Sequence, residues 1–372
     1  MPKRLVFFVH DGSGLGHLRR CARIAAALQG PCACLVVSGH RAAAWIVPDT
    51  CELLYLPSWD SFFTSRSAHW SRVPWMELSR HDAASLRSAL LEDMLRHFRP
   101  DAVFVDYLPF GQHGELRSFI ERADCTKYFV LRGLIDQEDR ACFADYFEVI
   151  AKYYDRVLVT ADRRTIDVES EYQVPESMCA KLAYVGYVLP DVCDRSAIRA
   201  QWVPDGAKWV VCSGGGGFRA ERLLRACMDI ARGCRDVRFD IVLGPRTTAP
   251  NLDPIPGRCA VWPHRSDLPA LHAAADVVVT SGGYNSVLEA MAGGARLVVH
   301  ARPGGADEPW EHARRLAAWY PIDVVEEEAG LAGAVRHALE QAPPSQGTSF
   351  PLNGDGIENT RRIVFHDLGL AG

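Results

Sequence analysis

The sequence predicts two doubly wound α/β domains, each built on a parallel sheet with helices on both faces. Short, almost continuously apolar segments alternate with helical patterns, which is typical of parallel strands buried on both sides. This alternation weakens near residues 186–206 and then starts again. The 372 residues also suffice for about two domains at roughly 150 residues each. The fold class follows from these three observations.

The first series of elements occupies residues 1–190. Strands are predicted at residues 5–10, 35–38, 102–106, 127–131 and 157–160. Helical patterns cover residues 17–28 and 84–98, and Pro100 ends the second of them. We therefore expect an N-terminal Rossmann-like domain.

The second series follows a stretch at 191–206 that contains Pro204 and Gly206, which we interpret as an interdomain linker. In residues 207–350, strands are predicted at 209–212, 239–243, 260–262, 277–280 and 296–300, with helices at 220–231 and 287–292 among those between them. A break at 341–351 precedes a final helix near 356–367. We expect the segment 351–372 to pack back on the first domain.

Composition excludes several classes of function. A formal charge of −5 and a pI near 6.2, without a Lys/Arg block, argue against nucleic acid as a partner. The N-terminal apolar run of residues 5–9 is too short for a signal peptide or a membrane span, which favours a cytoplasmic protein and leaves peripheral membrane contact open. The 12 cysteines include no C-x-x-C, so we expect reduced thiols, with disulfides or zinc as the alternative.

Ligands of doubly wound sheets bind beyond the carboxyl ends of the strands, so the loops there are the candidate sites. One such loop follows the strand at 209–212 and contains four consecutive glycines. Its backbone N–H groups and the next helix N-terminus could bind an anion, or the loop could be a flexible turn without a ligand. The candidate residues are Ser213, Gly215, Gly216 and Gly217.

A second candidate anion site follows the strand at 277–280 and opens a helix. It combines small residues, hydroxyls and free N–H groups at one helix start. Glu289 could accept hydrogen bonds from ribose hydroxyls, or it could form a capping box with Ser286. The candidate residues of the turn are Ser281, Gly282, Gly283, Tyr284, Asn285 and Ser286.

Two acidic residues, Asp307 and Glu308, follow the next strand on a loop that contains glycine. Their carboxylates could bind sugar hydroxyls, or they could be solvated loop acids. The sequence contains no D-x-D pair, the common arrangement for a metal–diphosphate complex. We therefore predict no metal requirement.

In the first half, His17 follows Gly14 and Gly16 at the start of a helix. An imidazole has a near-neutral pKa and suits the role of a general base, although a histidine at this position is more often structural. Asp106 ends a strand at the same edge of the predicted sheet, where its carboxylate could fix the tautomer of His17. We expect these two side chains to meet.

An aromatic segment at 57–75 has neither helical nor alternating spacing. It could be a loop that binds an acceptor, or a hydrophobic flap that packs on its own domain. Its candidate acceptor-binding residues are Phe62, Phe63, Arg66 and Trp70.

These elements together resemble the nucleotide-diphosphate-sugar glycosyltransferases of the GT-B fold, including bacterial relatives of the lipid-linked N-acetylglucosaminyltransferase of cell-wall synthesis. The resemblance spans nearly the whole chain. It depends on the segment from Trp262 to Leu268, the turn from Ser281 to Glu289, and the acidic loop. At the N-terminus, the turn before His17 and the Asp106–Tyr107 pair match the family's pattern.

The resemblance implies a role for each segment. The Trp262 segment, with His264 and Arg265, would lie along the base. The turn 281–286 would bind the diphosphate, Glu289 the ribose, and Asp307 with its neighbour the hexose. His17 and Asp106 would be the catalytic pair, with Gly14 and Gly16 beside the donor and Tyr107 beside the acceptor. The two Rossmann-like domains would face each other across a cleft, with the acceptor bound by the first and the donor by the second.

The implied activity is an inverting, metal-independent transfer of a hexose, or an N-acetylhexosamine, from a UDP-sugar or dTDP-sugar to a hydroxyl or amine. No cofactor is implied beyond this co-substrate. Glu308 stands where the family often has Gln, which leaves the donor sugar open, and the residues after His40 show no lipid-acceptor pattern. A nucleotide-sugar hydrolase of the same fold and a non-catalytic nucleotide-sugar-binding protein are the alternatives.

Overall fold

The computed structural model of the protein describes residues 1–11, 14–59, 76, 78–135, 145–191, 193–203, 205–215, 220–244, 252–301, 308–341, 344 and 350–371. The chain forms two compact units. Unit 1 contains Met1–Val188 and Asn353–Gly372, and unit 2 contains Leu189–Leu352. Each unit is built on one parallel sheet with helices between its strands, so the predicted fold class is confirmed.

The sheet of unit 1 has the strand order β3-β2-β1-β4-β5-β6-β7, and all its neighbouring pairs are parallel. Phe7, Phe104 and Tyr128 are partners across three central strands and stack with ring centroids 4.2 and 4.6 Å apart. The three stacked rings bury a large apolar area and so stabilise the pairing of these central strands. The strands are β1 Lys3–Phe8, β2 Cys32–Ser38, β3 Glu52–Tyr55, β4 Ala102–Asp106, β5 Thr126–Leu131, β6 Arg156–Val159 and β7 Leu182–Tyr184.

The helices of unit 1 begin with α1, whose first turn follows the glycine-containing loop after β1. The Ser79 hydroxyl caps α3 by accepting a hydrogen bond from the backbone N–H of Asp82, so this helix begins one turn before the predicted residue 84. The helices are α1 Gly16–Ala27, α2 Ala43–Ile46, α3 Arg80–Phe98, α4 Arg117–Arg122, α5 Tyr146–Tyr153, α6 Val168–Tyr172 and α7 Glu176–Cys179.

The sheet of unit 2 has the order β10-β9-β8-β11-β12-β13 and is also parallel throughout. Its strands are β8 Lys208–Ser213, β9 Val237–Val242, β10 Cys259–Trp262, β11 Val277–Thr280, β12 Arg296–His300 and β13 Ile322–Val325. Its helices are α8 Arg195–Trp202, α9 Glu221–Gly233, α10 Leu268–Ala274, α11 Tyr284–Gly293, α12 Glu308–Ala317 and α13 Glu328–Glu340.

Much of the stretch 191–206, which the sequence presents as a linker, is helix α8. Asp194 caps this helix by accepting from the backbone N–H groups of Ser196 and Ala197. Arg195 and Arg199 both pair with Asp276 at 3.1 Å and donate to the last carbonyls of α10. The helix is therefore part of unit 2, because its arginines are bound to that unit's own elements.

Strands β3, β7 and β13 were not predicted. Each lies at the edge of its sheet, where the residues are only partly buried. Edge strands lack the continuous apolar run by which central parallel strands are recognised. Their absence from the prediction follows from this half-exposed position.

The last helix, α14, covers Gly356–Asp367 and belongs to unit 1. Its final residue, Asp367, accepts two hydrogen bonds from Arg156 at 3.1 Å and one from the Tyr128 hydroxyl at 3.2 Å. Strands β5 and β6 thus hold the end of this helix.

In each sheet the strand order reverses at one point, and loops that diverge there leave room for a ligand. In unit 1 this point lies between β1 and β4, and in unit 2 it lies between β8 and β11. The loops after these four strands carry most of the candidate residues that the structure describes.

Candidate active site

His17 and Asp106 meet at the carboxyl edge of the sheet in unit 1. His17 is the second residue of α1, and Asp106 is the last residue of β4. The Nδ1 atom of His17 lies 2.6 Å from Oδ2 of Asp106. Arg20, one turn further along α1, donates to the other carboxylate oxygen. The structure brings together the two residues that the sequence paired.

Electrostatics defines the protonation states of this pair. Burial would raise the pKa of Asp106, but the charges and hydrogen bonds of His17 and Arg20 outweigh it and hold that pKa well below its usual range. Burial lowers the pKa of His17; Asp106 opposes this effect, while Arg20 and Arg132 add to it, and the net shift is downward. Near neutral pH, therefore, a neutral imidazole donates its Nδ1–H to an ionised carboxylate, and Nε2 carries the lone pair.

Among the described residues, His10 and Tyr107 also lie beside His17, and Arg132 acts on it electrostatically. The ring centroids of His10 and Tyr107 lie 5.0 and 5.1 Å from that of His17. The guanidinium carbon of Arg132 lies 4.7 Å from the centroid of the Tyr107 ring. His10 and Arg132 were not predicted, yet each stands just after a central strand, so the argument from strand ends that found Asp106 could have found them as well.

Tyr107 has a left-handed backbone conformation, with φ at +68° directly after the strand. Non-glycine residues adopt this region at a cost, and such residues cluster at functional sites. Its hydroxyl accepts a long hydrogen bond of 3.4 Å from Arg132, and its carbonyl accepts one of 2.7 Å from Tyr146. These contacts keep the ring beside His17.

The glycine turn before His17 is described in part. Gly16 is the first residue of α1. Among the described residues, the atom nearest to a Cβ built at Gly14 would be the backbone nitrogen of Gly16, at 3.9 Å.

Most of the predicted acceptor-binding residues and several predicted donor-binding residues lie outside the described part of the chain. These residues are Phe62, Phe63, Arg66, Trp70, Gly216, Gly217 and Asp307. Glu308, the neighbour of Asp307, is the first residue of α12.

In unit 2, the start of the glycine loop and the turn after β11 face each other. Gly214 has no room for a side chain, because a Cβ there would overlap the carbonyl oxygen of Leu243. Gly215 has φ at +60°, and a Cβ on it would lie 3.7 Å from Oγ of Ser281. The two loops are close because β8 and β11 are adjacent strands that pair in register.

The turn after β11 leads directly into α11. Gly282 has φ at +85°, Gly283 is the N-cap, and the helix begins at Tyr284. The helix therefore starts three residues before the predicted residue 287, and the capping box of Ser286 with Glu289 is wrong, since both residues lie inside the helix. The first-turn N–H groups of α11, which have no partner within the helix, are at the end where an anion was predicted.

Glu289 is buried, and one of its carboxylate oxygens is hydrogen-bonded. Its Oε2 atom lies 3.2 Å from Nδ1 of His272, whose Nε2 atom lies 3.2 Å from Oγ of Ser213. His272 was not among the predicted residues. Nothing in the sequence pattern marks it, because it lies within a short apolar helix and meets Glu289 only through helix packing.

Trp262 takes part in a polar and aromatic cluster. Its indole N–H donates to the buried Asp240 at 2.7 Å, and the Arg265 guanidinium carbon lies 4.6 Å from its ring centroid. Arg265 also forms an ion pair with Asp267, while His264 is exposed. The ring expected to lie along a base thus has a guanidinium over it in this structure.

Comparisons with known proteins give matches of structure only. No protein-family model and no curated protein sequence matches the chain. UGT89C1 of Arabidopsis thaliana complexed with UDP matches with a TM-score of 0.62 and 16% identity, over 99% of this chain and 100% of that one. The calicheamicin glycosyltransferase CalG4 matches with a TM-score of 0.59 and 16% identity, over 100% of this chain and 96% of that one. A UDP-N-acetylglucosamine 2-epimerase matches with a TM-score of 0.61 and 14% identity, over 99% of this chain and 97% of that one.

The protein has the GT-B fold. At such low identities, likeness shows the architecture and not the activity. Within this GT-B fold, the His17 cluster lies at the strand-order reversal of unit 1, and the two facing loops lie at that of unit 2. No helix among the described residues has the length and apolar character needed to cross a membrane.

Proposed function

We propose that the protein transfers a hexose or N-acetylhexosamine from a UDP-sugar, or a dTDP-sugar, to an acceptor hydroxyl or amine. The reaction inverts the configuration at the anomeric carbon and needs no metal ion. The Nε2 atom of His17 takes the acceptor proton, the acceptor atom bonds to the anomeric carbon, and the bond to the diphosphate breaks with its electron pair. A nucleoside diphosphate leaves.

The single observation that carries this proposal is the contact of 2.6 Å between His17 and Asp106. A lowered pKa keeps the imidazole unprotonated near neutral pH, as a base must be. The carboxylate orients the ring and stabilises the imidazolium that forms when the proton moves.

The geometry of unit 2 supports an anionic donor. The start of the glycine loop lies beside the turn before α11, since a Cβ on Gly215 would lie 3.7 Å from Oγ of Ser281. N–H groups at a helix start stabilise negative charge, which builds up on the leaving diphosphate in the transition state. We assign the diphosphate to the turn 281–286, the ribose to Glu289, the base to the Trp262 segment, and the hexose to Asp307 and Glu308.

The names of similar structures agree with this class of reaction. They include the glycosyltransferase of kitacinnamycin, a spinosyn forosaminyltransferase, and a plant protein solved with UDP. The similar structures also include UDP-N-acetylglucosamine 2-epimerases. Epimerisation of a nucleotide sugar is therefore the main alternative to glycosyl transfer.

The test begins with a thermal-shift panel of nucleotides and nucleotide sugars, because a ligand of the native state raises the apparent melting temperature. The donor that gives the largest shift is then incubated with a panel of hydroxyl and amine acceptors, with NMR detection of products. We expect nucleotide release that depends on the acceptor, together with a glycosylated product.

Controls without acceptor separate the rivals. Rapid, stoichiometric release of free sugar would indicate a hydrolase, and conversion of the donor to its 2-epimer would indicate an epimerase. Tight nucleotide binding without turnover of any donor would favour a binding protein. Any of these three results would overturn the transferase proposal.

A further inference from the structure

Ser213, His272 and Glu289 form a continuous polar chain inside unit 2. The first two side chains are 0% exposed and the third is 1% exposed. The two ring nitrogens of His272 contact the other residues, each at 3.2 Å. The chain joins the last residue of β8, the middle of α10 and the second turn of α11. Buried polar groups are retained when each has a partner, as here.

Close packing of two helices creates this arrangement. A Cβ at Gly293 would overlap Ala273, so α10 and α11 approach each other as closely as glycine allows. Glu289 lies four residues before Gly293, on the same face of α11, and His272 is the neighbour of Ala273. The small residue therefore brings the carboxylate against the imidazole.

The connectivity is serine–histidine–carboxylate, as in a hydrolase triad, but the burial of Ser213 argues against a nucleophile. The Nδ1 atom of His272 faces the Glu289 carboxylate, which only accepts hydrogen bonds when it is ionised, and Nε2 faces the Ser213 hydroxyl. The imidazole can therefore donate to the carboxylate while its other nitrogen holds the hydroxyl. Side chains on a helix lean toward its N-terminus, which directs the Glu289 carboxylate to the predicted donor side.

We propose that His272 is a positioning residue of the donor site, which holds Glu289 in the orientation that binds the ribose hydroxyls and fixes the first residue of the glycine loop. This inference rests on the proposed function, since it requires a nucleotide at unit 2. It adds a determinant of ribose recognition that does not itself touch the nucleotide.

The test compares the affinities of UDP and 2′,3′-dideoxyuridine diphosphate by calorimetry. Wild type should prefer UDP by about tenfold or more, the size expected for hydrogen bonds to a charged group. In His272→Leu the ratio should fall toward one. In His272→Asn, whose amide can still donate to Glu289 from the position of Nδ1, most of the preference should return. His337→Leu, on the exposed side of α13, serves as the control and should keep the wild-type ratio.

The outcomes separate this inference from the proposed function. If wild type binds no nucleotide, the proposed function fails. If wild type prefers UDP and His272→Leu keeps the full preference, only the positioning role fails. If the melting curve of His272→Leu shows that this variant does not fold, the His272→Asn variant decides alone. Its amide still donates a hydrogen bond to Glu289, so a loss of the preference for UDP in this folded variant would overturn the inference. A wild type that binds both nucleotides equally would overturn it as well.

Discussion

The pKa of the His17 imidazole is determined by opposing effects. Burial and two arginines disfavour its charged form, while Asp106 favours it. The result is a base that is neutral at working pH and yet is held beside a carboxylate that can stabilise the proton when it arrives. His17 and Arg20 together keep Asp106 ionised against the effect of burial, so Arg20 is part of the same charge network.

Replacing Asp106 by Asn tests this coupling. The carboxylate raises the pKa of His17 against the effect of burial, so its removal should lower that pKa further and move the acidic limb of kcat/KM to lower pH. The loss of orientation should reduce kcat by about 10²–10⁴-fold. A pH–rate profile is the measurement. Asp93→Asn, at an exposed ion pair on α3, should leave both quantities unchanged. An acidic limb that stays in place would contradict the coupling.

The lowered pKa of His113 should make the stability of the protein depend on pH. Burial, with the charges of Arg80 and Arg87, lowers its pKa to about 4 from an unfolded value near 6.5. The unfolded chain therefore binds more protons between these values, and the free energy of unfolding should decrease as the pH falls from 6.5 to 4.

In His113→Gln this part of the slope should disappear, as denaturant titrations at several pH values would show. The exposed His337→Gln provides the comparison and should keep the wild-type slope. An unchanged slope in His113→Gln would show that other groups cause the dependence.

At the scale of elements, glycines decide how closely helices approach. Gly293 lies at the end of α11 against Ala273, whereas a methyl group added at the exposed Gly333, in α13, would meet no atom of the described residues within 4 Å. The same substitution should therefore have opposite effects at these two sites.

Gly293→Ala should destabilise the protein by about 1–3 kcal/mol, because the new methyl group overpacks the helix contact. Gly333→Ala should stabilise it by about 0.5–1 kcal/mol, because alanine is the better helix former. Urea unfolding measures both. Gly293→Ala should also weaken UDP binding, since it separates Glu289 from His272. Equal effects of the two substitutions on stability would contradict the close-approach argument.

At the scale of the whole molecule, the sequence predicted the two sheets and the meeting of His17 with Asp106. Buried central strands have a continuous apolar signature, and parallel strands end at one edge, so position along the chain gives position in space. Edge strands such as β3 lack that signature. His272 could not be predicted, because its partners lie 59 and 17 residues away and meet it only through packing.

The most direct test of the account is a comparison of donor turnover with UDP affinity in wild type and His17→Gln, using the donor and acceptor found by screening. Glutamine keeps the size and polarity of the side chain but cannot accept a proton as a base. The account predicts that turnover falls by about 10²-fold or more while the Kd for UDP stays within about twofold. Turnover that survives in His17→Gln would contradict the assignment of the base, and with it the central claim.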